Sequence, residues 1–493
     1  MKNITSLLFS STQSITKNAY AVFIISLILI VFTSCEKLLK EEPKSLAVEN
    51  FYNTKAEVEA ATNAIYSPLI PDGAMPTYVA SLEVTVDYSY GRGSWAPPNE
   101  FKGLDGTNIG RITTVWNAFY LSIRNANLVI KNAPNGSSIS NEDIAKYVAE
   151  AKFMRAFDYF QLVRSWDGVP IRTEADMTSI NAKRNSVDEV YNLIIADLKE
   201  AETNLPDIPG LVGRPSKWAA KTLLADVYLQ RGEYAQARDK AKEVIESKKY
   251  SLVGVTSVDD WQKIFGPDVV TTPEEIFYIK FSGQPGYGNW WVLFPNHPGT
   301  KLEAGGGYYG VYSDVNNLVQ KNWDPNDLRK GLWYIWDIGL GPTTILSKKL
   351  ISPSNATAGN DITCYRYADV LLIYAEAACR ADNAPTASAI EAVNQVHRRA
   401  YGKDPNVPST VDFNLADYNE TTFLDLILRE RGYEFQYEGK RWLTLKRTGK
   451  ADDVIMAVYG KTIDKKAFLW PIPTTELNFN KALDPAKDQN VGY

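Results

Sequence analysis

Three glutamates, Glu430, Glu434 and Glu438, recur every fourth residue near the end of a 493-residue chain. On a continuous helix that spacing puts them on one face. Paired carboxylates can protonate a leaving group and activate a water, which is the chemistry of glycoside hydrolysis. Three of them on one face repel unless cations intervene. Arg441 lies three residues past Glu438, and Arg431, Lys440 and Arg366 are further partners. The pattern reads as a partly buried ion-pair network joining helices, since structural networks also perturb carboxylates. Other catalytic signatures are missing: no HExxH, GxSxG or Walker A motif occurs. His297, beside Pro298, and His397, beside Arg398 and Arg399, have no Cys or second His at ligand spacing, so no zinc site is expected. Gly305 to Gly310 matches GxGxxG but lacks the strand before it and the helix after it that a dinucleotide site needs. No cofactor is expected.

Aromatic residues are the better candidates. Trp290, Trp291, Trp323, Trp333 and Trp336 place five of the twelve tryptophans within one stretch, interleaved with glycines and with Tyr287, Tyr308, Tyr309, Tyr312 and Tyr334. An indole offers a flat apolar face and one N–H donor. The C–H face of a sugar ring can stack on it while Asp, Asn and Arg bond the hydroxyls. Any single tryptophan here is expected to be buried. The cluster as a whole is expected to leave at least one exposed platform. An earlier stretch supplies a matching set: Asp87, Tyr90, Arg92, Trp95 and Asn99 combine carboxylate, aromatic, guanidinium and amide within thirteen residues. The candidate ligand-binding residues are therefore Asp87, Tyr90, Arg92, Trp95, Asn99, Trp290, Trp291, Tyr308, Tyr309 and Trp323.

The elements that must hold these residues are mainly helical. Ser186 to Glu189 is a capping box opening a helix with Val190, Ile194, Leu198 and Ala201 inside, closed by Pro206. Ser216 caps a helix with Ala220, Leu223, Leu224, Val227 and Tyr228 on one face; Gly232 turns the chain into a return helix lined by Tyr234, Ala237, Ala241, Val244 and Ile245. Ala225, Tyr228, Gly232, Tyr234 and Ala237 sit at spacings that resemble a tetratricopeptide repeat. Helices are also predicted over 51–67, 115–133, 365–380 and 387–399. Residues 71–113 and 250–363, rich in Gly, Pro, Asn and aromatics, read as irregular excursions, with one short strand at 275–281.

The first residues read as a leader. An apolar run, Ala21 to Phe32, is too short to span a bilayer and ends at Phe32-Thr33-Ser34-Cys35, which looks like a lipobox. Cys35 would carry the lipid, Lys37 to Ser45 would form a tether, and 1–34 would be removed. Losing Lys2 and Lys17 takes the net charge from -5 to -7. An acidic chain without a basic run does not look like a nucleic-acid binder. Cys364 and Cys379 are expected as free thiols, because one helix would hold them too far apart for a disulfide.

These residues carry a resemblance. Arg429-Glu430-Arg431-Gly432-Tyr433-Glu434-Phe435, then Glu438-Gly439-Lys440-Arg441-Trp442, resembles the ERxxEFxxEGxRW signature of the SusD/RagB family of outer-membrane nutrient-binding lipoproteins of Bacteroidota. Tyr365 to Ala377 resembles that family's RYADVLLxYAEA helix, and Trp470-Pro471-Ile472-Pro473 and Gln489 to Tyr493 its closing pattern. Thr444 stands where the family has Asp, and Val491 where it has Pro. The resemblance covers nearly all of residues 35–493. It implies a mainly α single domain: a tetratricopeptide-repeat-like scaffold (about 46–250 and 364–450) with long irregular loop insertions, the aromatic one at about 251–363, and minor β elements. It implies no catalysis, capture of an oligosaccharide at the cell surface, and delivery to a SusC-like TonB-dependent transporter from an outer-membrane lipid anchor. It implies ligand contacts by region, from the 87–99 loop and the aromatic lobe. A structural calcium is compatible with the family, without assigned ligands. Peptide capture remains an alternative, as does, behind it, a surface glycoside hydrolase.

Overall fold

In the computed structural model, residues 51–70 and 74–493 are described; the leader, Cys35 and the 37–45 tether lie outside them. Residues Tyr52–Tyr493 form one unit. Its longer helices are α1 (Lys55–Tyr66), α2 (Ala74–Glu83), α3 (Gly106–Asn132), α4 (Asn141–Trp166), α5 (Val187–Asn204), α6 (Lys217–Arg231) and α7 (Tyr234–Glu246). After the insertion come α8 (Tyr367–Asp382), α9 (Ala387–Ala400), α10 (Glu420–Glu434), α11 (Arg441–Arg447) and α12 (Ala451–Tyr459). The strands are β1 (Tyr90–Gly91), β2 (Glu275–Ile279), β3 (Val311–Asp314), β4 (Trp333–Ile335), β5 (Thr344–Ser347) and β6 (Ile362–Arg366). The protein is mainly helical and tetratricopeptide-like.

Each helix from α3 to α7 packs on the next, as does α8 on α9. Helix α8 also packs on α7, across an insertion of more than a hundred residues. The repeat array is thus continuous in space although the chain leaves it and returns. Local chemistry sets the helix ends. Ser186 accepts from Glu189 N while Glu189 accepts from Ser186 N, the expected capping box. Ser216 caps α6, and Gly232 ends it with φ +77°. The inner stripe Val190, Ile194, Leu198 and Ala201 is fully buried.

The structure departs from the sequence reading at several points: the insertion, read with one strand at 275–281, also carries β3, β4 and β5, and the helix expected over 51–67 begins at Lys55. The 71–113 stretch is not wholly irregular: α2 is buried at every residue, and α3 begins at Gly106. Asp105 caps α3 through Asn108 N, and packing overrides the poor helix propensity of its first turn. The helix expected from Tyr365 begins at Tyr367, because Cys364, Tyr365 and Arg366 finish strand β6 against β2. The alternating Thr363, Tyr365 and Cys364 side chains serve that strand before the helical period starts. Glu438 does not share the helix of Glu430 and Glu434: α10 ends at Glu434, and Tyr437 (φ +63°) and Gly439 (φ +71°) bend the chain. Cys364, in β6, and Cys379, in α8, are free thiols, and burial pushes them up to about 12 and about 11.

Four strands join the early excursion to the insertion in the order β1-β3-β5-β4, all antiparallel, with Tyr90 opposite Tyr312 and Gly91 opposite Val311. Strands β2 and β6 form a second antiparallel pair.

Candidate ligand-binding site

The β1–β3 pairing brings two loops together that lie about two hundred residues apart in the chain. On the early side, the loop is clasped by Asn99: its Oδ1 accepts from Gly91 N at 2.6 Å and its Nδ2 donates to Val84 O at 3.0 Å. Gly91 is required there, because a Cβ would meet Trp95 O at 2.1 Å. Arg111, on α3, then pins the turn by donating from Nη1 to Ser94 O at 2.8 Å and from Nη2 to Ser94 Oγ at 2.7 Å. On the late side, Tyr308 N donates to Leu293 O and Tyr309 N to Asn296 O. Tyr309 holds φ +39°, a conformation that costs a non-glycine residue on the order of 1 kcal/mol. Arg92 N donates to Gly310 O at 2.8 Å and locks the two loops together.

The result is two groups of ring contacts on the paired loops. Trp95 lies 6.2 Å from Trp290 and 5.1 Å from Phe294 between ring centroids. Phe294 is 5.0 Å from Trp290 and 6.1 Å from Tyr308. Beside them, Tyr309 packs on His297 at 4.6 Å, and His297 on Trp336 at 5.6 Å. His297 Nδ1 accepts from Gly299 N, so in this arrangement the neutral ring carries its proton on Nε2. Two guanidiniums lie over rings: Arg111 is 3.6 Å from the Trp95 centroid and Arg92 is 4.3 Å from that of Tyr309. Trp290 also lines a cavity of about 220 Å³ with Leu293, Asn289 and Thr357. Phe294 is buried and stiffens the cluster; Trp95, Trp290 and Tyr309 are half-buried, and Tyr308 is 56% exposed.

The ten sequence candidates therefore separate. Trp95, Trp290 and Tyr308 belong to the first group around Phe294, and Arg92 and Tyr309 to the second. Tyr90 is half-buried, stacked on Tyr312 at 5.3 Å and packed on Tyr459. The other four are inside, which corrects their expected role as ligand contacts. Asp87 is buried because Arg441 grips it with two bonds of 2.9 and 2.6 Å. Asn99 is spent on the clasp. Trp291 is buried and donates to Tyr437 O, and Trp323 is buried, stacked on Tyr433 at 4.2 Å and bonded to Asp327. Arg111, His297 and Trp336 add to these groups, and Phe294 lies buried beneath the first. Trp336 stands in the tryptophan-rich stretch, but Arg111 lies on α3 with no local pattern to mark it.

The glutamate motif is elsewhere and is closed. Arg366, fully buried, donates to Glu274 at 2.7 Å, Glu434 at 2.5 Å and Glu438 at 2.8 Å. Arg399 joins Glu274 to Glu434, Arg329 reaches Asp327, Glu430 and Glu434, and Lys349 reaches Glu438. Burial alone would raise these carboxyls; the surrounding cations overcome it and hold Glu430 and Glu434 at about 2. Of the expected partners Arg366 takes part and Lys440 sits 3.5 Å from Glu438, whereas Arg441 pairs with Asp87. Arg431 stands apart, with Nε and Nη1 buried and without hydrogen-bond partners among the described residues. The network is ion-paired throughout and buried, the structural arrangement. Among the described residues, no group of three or more His, Cys, Asp or Glu is placed to hold a metal ion.

Comparison with known proteins agrees with this architecture. Residues 38–229 match a family model described as "SusD-like_3: Starch-binding associating with outer membrane", and residues 288–493 match the SusD_RagB model, the SusD family. SusD-like protein P38 of Formosa agariphila is 28% identical over 97% of this chain and 99% of its own. The fold is similar to that of a SusD homologue from Bacteroides thetaiotaomicron, with a TM-score of 0.75 at 22% identity over 90% of this chain and 98% of the other. Surface glycan-binding protein A from Bacteroides fluxus gives 0.71 at 22% identity, over 89% and 100%. The chain belongs to the SusD/RagB family of Bacteroidota.

Proposed function

We propose that this protein is a surface glycan-binding lipoprotein that captures an oligosaccharide and passes it to a SusC-like TonB-dependent outer-membrane transporter. The observation that carries the reading is the cluster in which the accessible rings Trp95, Trp290 and Tyr308 pack around buried Phe294, assembled by pairing two distant loops. Flat rings held in a fixed relation suit the alternating apolar faces of consecutive sugars, and neighbouring N–H donors suit their hydroxyls. Half-buried rings need little ordering on binding, which favours affinity without a deep pocket. The family description and the neighbour called a surface glycan-binding protein point the same way. Capture requires no catalytic group, and Glu430, Glu434 and Glu438 are buried and ion-paired. Lipid attachment at Cys35 would hold the protein at the outer membrane; no helix among the described residues is long and apolar enough to cross a membrane.

Calorimetry of the full-length chain in detergent against a polysaccharide panel and peptide pools tests the reading. Saturable glycan binding that Trp290→Ala weakens about tenfold or more in a folded protein supports it. Peptide binding with no glycan binding would overturn it in favour of a peptide-capturing member of the same uptake system. Reducing ends released from a bound polysaccharide would instead reveal a hydrolase. Co-purification of a TonB-dependent transporter on native affinity isolation tests the delivery step.

A further inference from the structure

Charge on the aromatic surface is one-sided. Arg111 spends both Nη1 hydrogens on Ser94 O and Asn108 Oδ1, and one Nη2 hydrogen on Ser94 Oγ. Of its five N–H groups, Nε–H and one Nη2–H are left. The Arg92 guanidinium lies over the Tyr309 ring and has no hydrogen bond or ion pair to a side chain or backbone group among the described residues. Among the described residues, neither arginine has a carboxylate within 4 Å. The carboxylates of the two loops are engaged elsewhere. Glu100 pairs with Lys461 at 2.9 Å, and Asp105 caps α3 and accepts from Asn108 Nδ2 at 2.7 Å. Glu303 is buried, accepting from Gly305 N, and Asp314 accepts from Thr343 Oγ1 at 2.6 Å and Asn316 N at 2.7 Å. Lys301, exposed in the His297 loop, adds a further cation.

Two half-buried guanidiniums with no carboxylate in ion-pair contact, Arg111 feeling only the more distant Asp105, run against a chain whose net charge is -5. Partial desolvation disfavours a cation unless an anion meets it. Stacking on an indole or phenol fixes the guanidinium plane and leaves its in-plane N–H groups free for planar or tetrahedral oxyanions. Such bonds are charge-assisted and therefore stronger than those to neutral hydroxyls.

We infer that the ligand of this surface is an anionic oligosaccharide, bearing uronate carboxylates or sulfate esters that Arg92 and Arg111 bind. The inference rests on the glycan-capture reading and sharpens it. Trp290 and Tyr308, whose rings no cation covers, take apolar sugar faces, and the two arginines read the acidic substituents.

The full-length chain in detergent is titrated by calorimetry with oligogalacturonate and with sulfated carrageenan oligosaccharides, beside neutral maltohexaose and xylohexaose. At least one anionic probe binds about tenfold or more tightly than the neutral ones. The arm that responds distinguishes carboxylate from sulfate. Raising sodium chloride from about 50 to about 500 mM weakens that binding, because screening acts on exposed charge. Arg92→Gln, which removes no internal hydrogen bond, lowers anionic affinity about tenfold with an unchanged thermal midpoint. Arg111→Gln also lowers anionic affinity, but with a fall in the thermal midpoint because it loses the bonds to Ser94 and Asn108, and Arg111→Lys, which keeps the charge, restores part of the affinity. Neutral probes binding as well as anionic ones, or unchanged anionic affinity in Arg92→Gln, overturns the charge inference and leaves glycan capture standing. No binding to any glycan overturns capture itself, and this inference with it.

Discussion

The buried cluster around Arg366 and the surface around Trp95 both rest on arginine, and they use it in opposite ways. In the cluster, Glu274, Asp327, Glu430, Glu434 and Glu438 meet Arg329, Lys349, Arg366 and Arg399 at 2.5 to 3.2 Å, away from water. On the surface, Arg92 and Arg111 face rings and keep free N–H groups. The difference is satisfaction: a guanidinium ringed by carboxylates holds helices together, whereas one on an aromatic face without a carboxylate is ready for an outside partner. Binding and stability should therefore respond to different substitutions.

Breaking the cluster gives the largest effect. Arg366→Met leaves Glu274, Glu434 and Glu438 short of a shared cation in the interior, a loss of about 3–5 kcal/mol. Chemical denaturation should show that drop, while ligand affinity per folded molecule stays near that of the parent.

Acid separates two kinds of buried carboxyl. Glu430 and Glu434 are held at about 2, below their unfolded value, despite burial, by Arg329, Arg366, Arg399 and His397. Their contribution is present above about pH 4.5 and is lost as pH falls toward 2. Glu83 has the opposite sign: burial pushes it up to about 7, although Tyr88 and Gly439 bond it. Its contribution is full below about pH 4.5 and is lost as pH rises through 7. The denaturation midpoint is expected to fall on both sides of about pH 5. Glu83→Gln should flatten the decline between about pH 5 and 7 and leave the acid limb in place.

The surface gives a smaller and purely functional effect. Trp290→Ala removes an accessible ring that packs on Trp95 and Phe294. Glycan affinity should fall about tenfold or more, about 1.4 kcal/mol, by calorimetry. The thermal midpoint should move little, since the ring is only half-buried.

How far the sequence could be read follows the same division. Caps at Ser186 and Ser216, the stripe from Val190 to Ala201 and the Gly232 turn are local signals, and each appears as expected. The cluster's existence was visible in Glu430, Glu434 and Glu438, but Arg329, Lys349 and Arg399 come from other elements and leave no spacing to find. The site was legible as two regions. Which rings in them face outward depends on the pairing of Gly91 with Val311, a contact more than two hundred residues apart in the chain. Asp87 looked like a hydroxyl acceptor because nothing near it in sequence indicates Arg441, which grips it.

Trp323 tests the boundary between the two regions most finely. It stands in the tryptophan-rich stretch, so composition groups it with Trp290. Its indole instead stacks on Tyr433 of α10 and donates to Asp327, whose other contacts are with Arg329 of the buried cluster. It is therefore a structural side chain that braces the carboxylate side of the ion-pair network. Trp323→Phe keeps a stackable ring and removes the N–H donor. The expected cost is about 1 kcal/mol of folding stability, the net worth of one hydrogen bond. Glycan affinity should not change. A binding loss as large as that of Trp290→Ala at unchanged stability would place Trp323 on the ligand side and redraw the division between interior and surface.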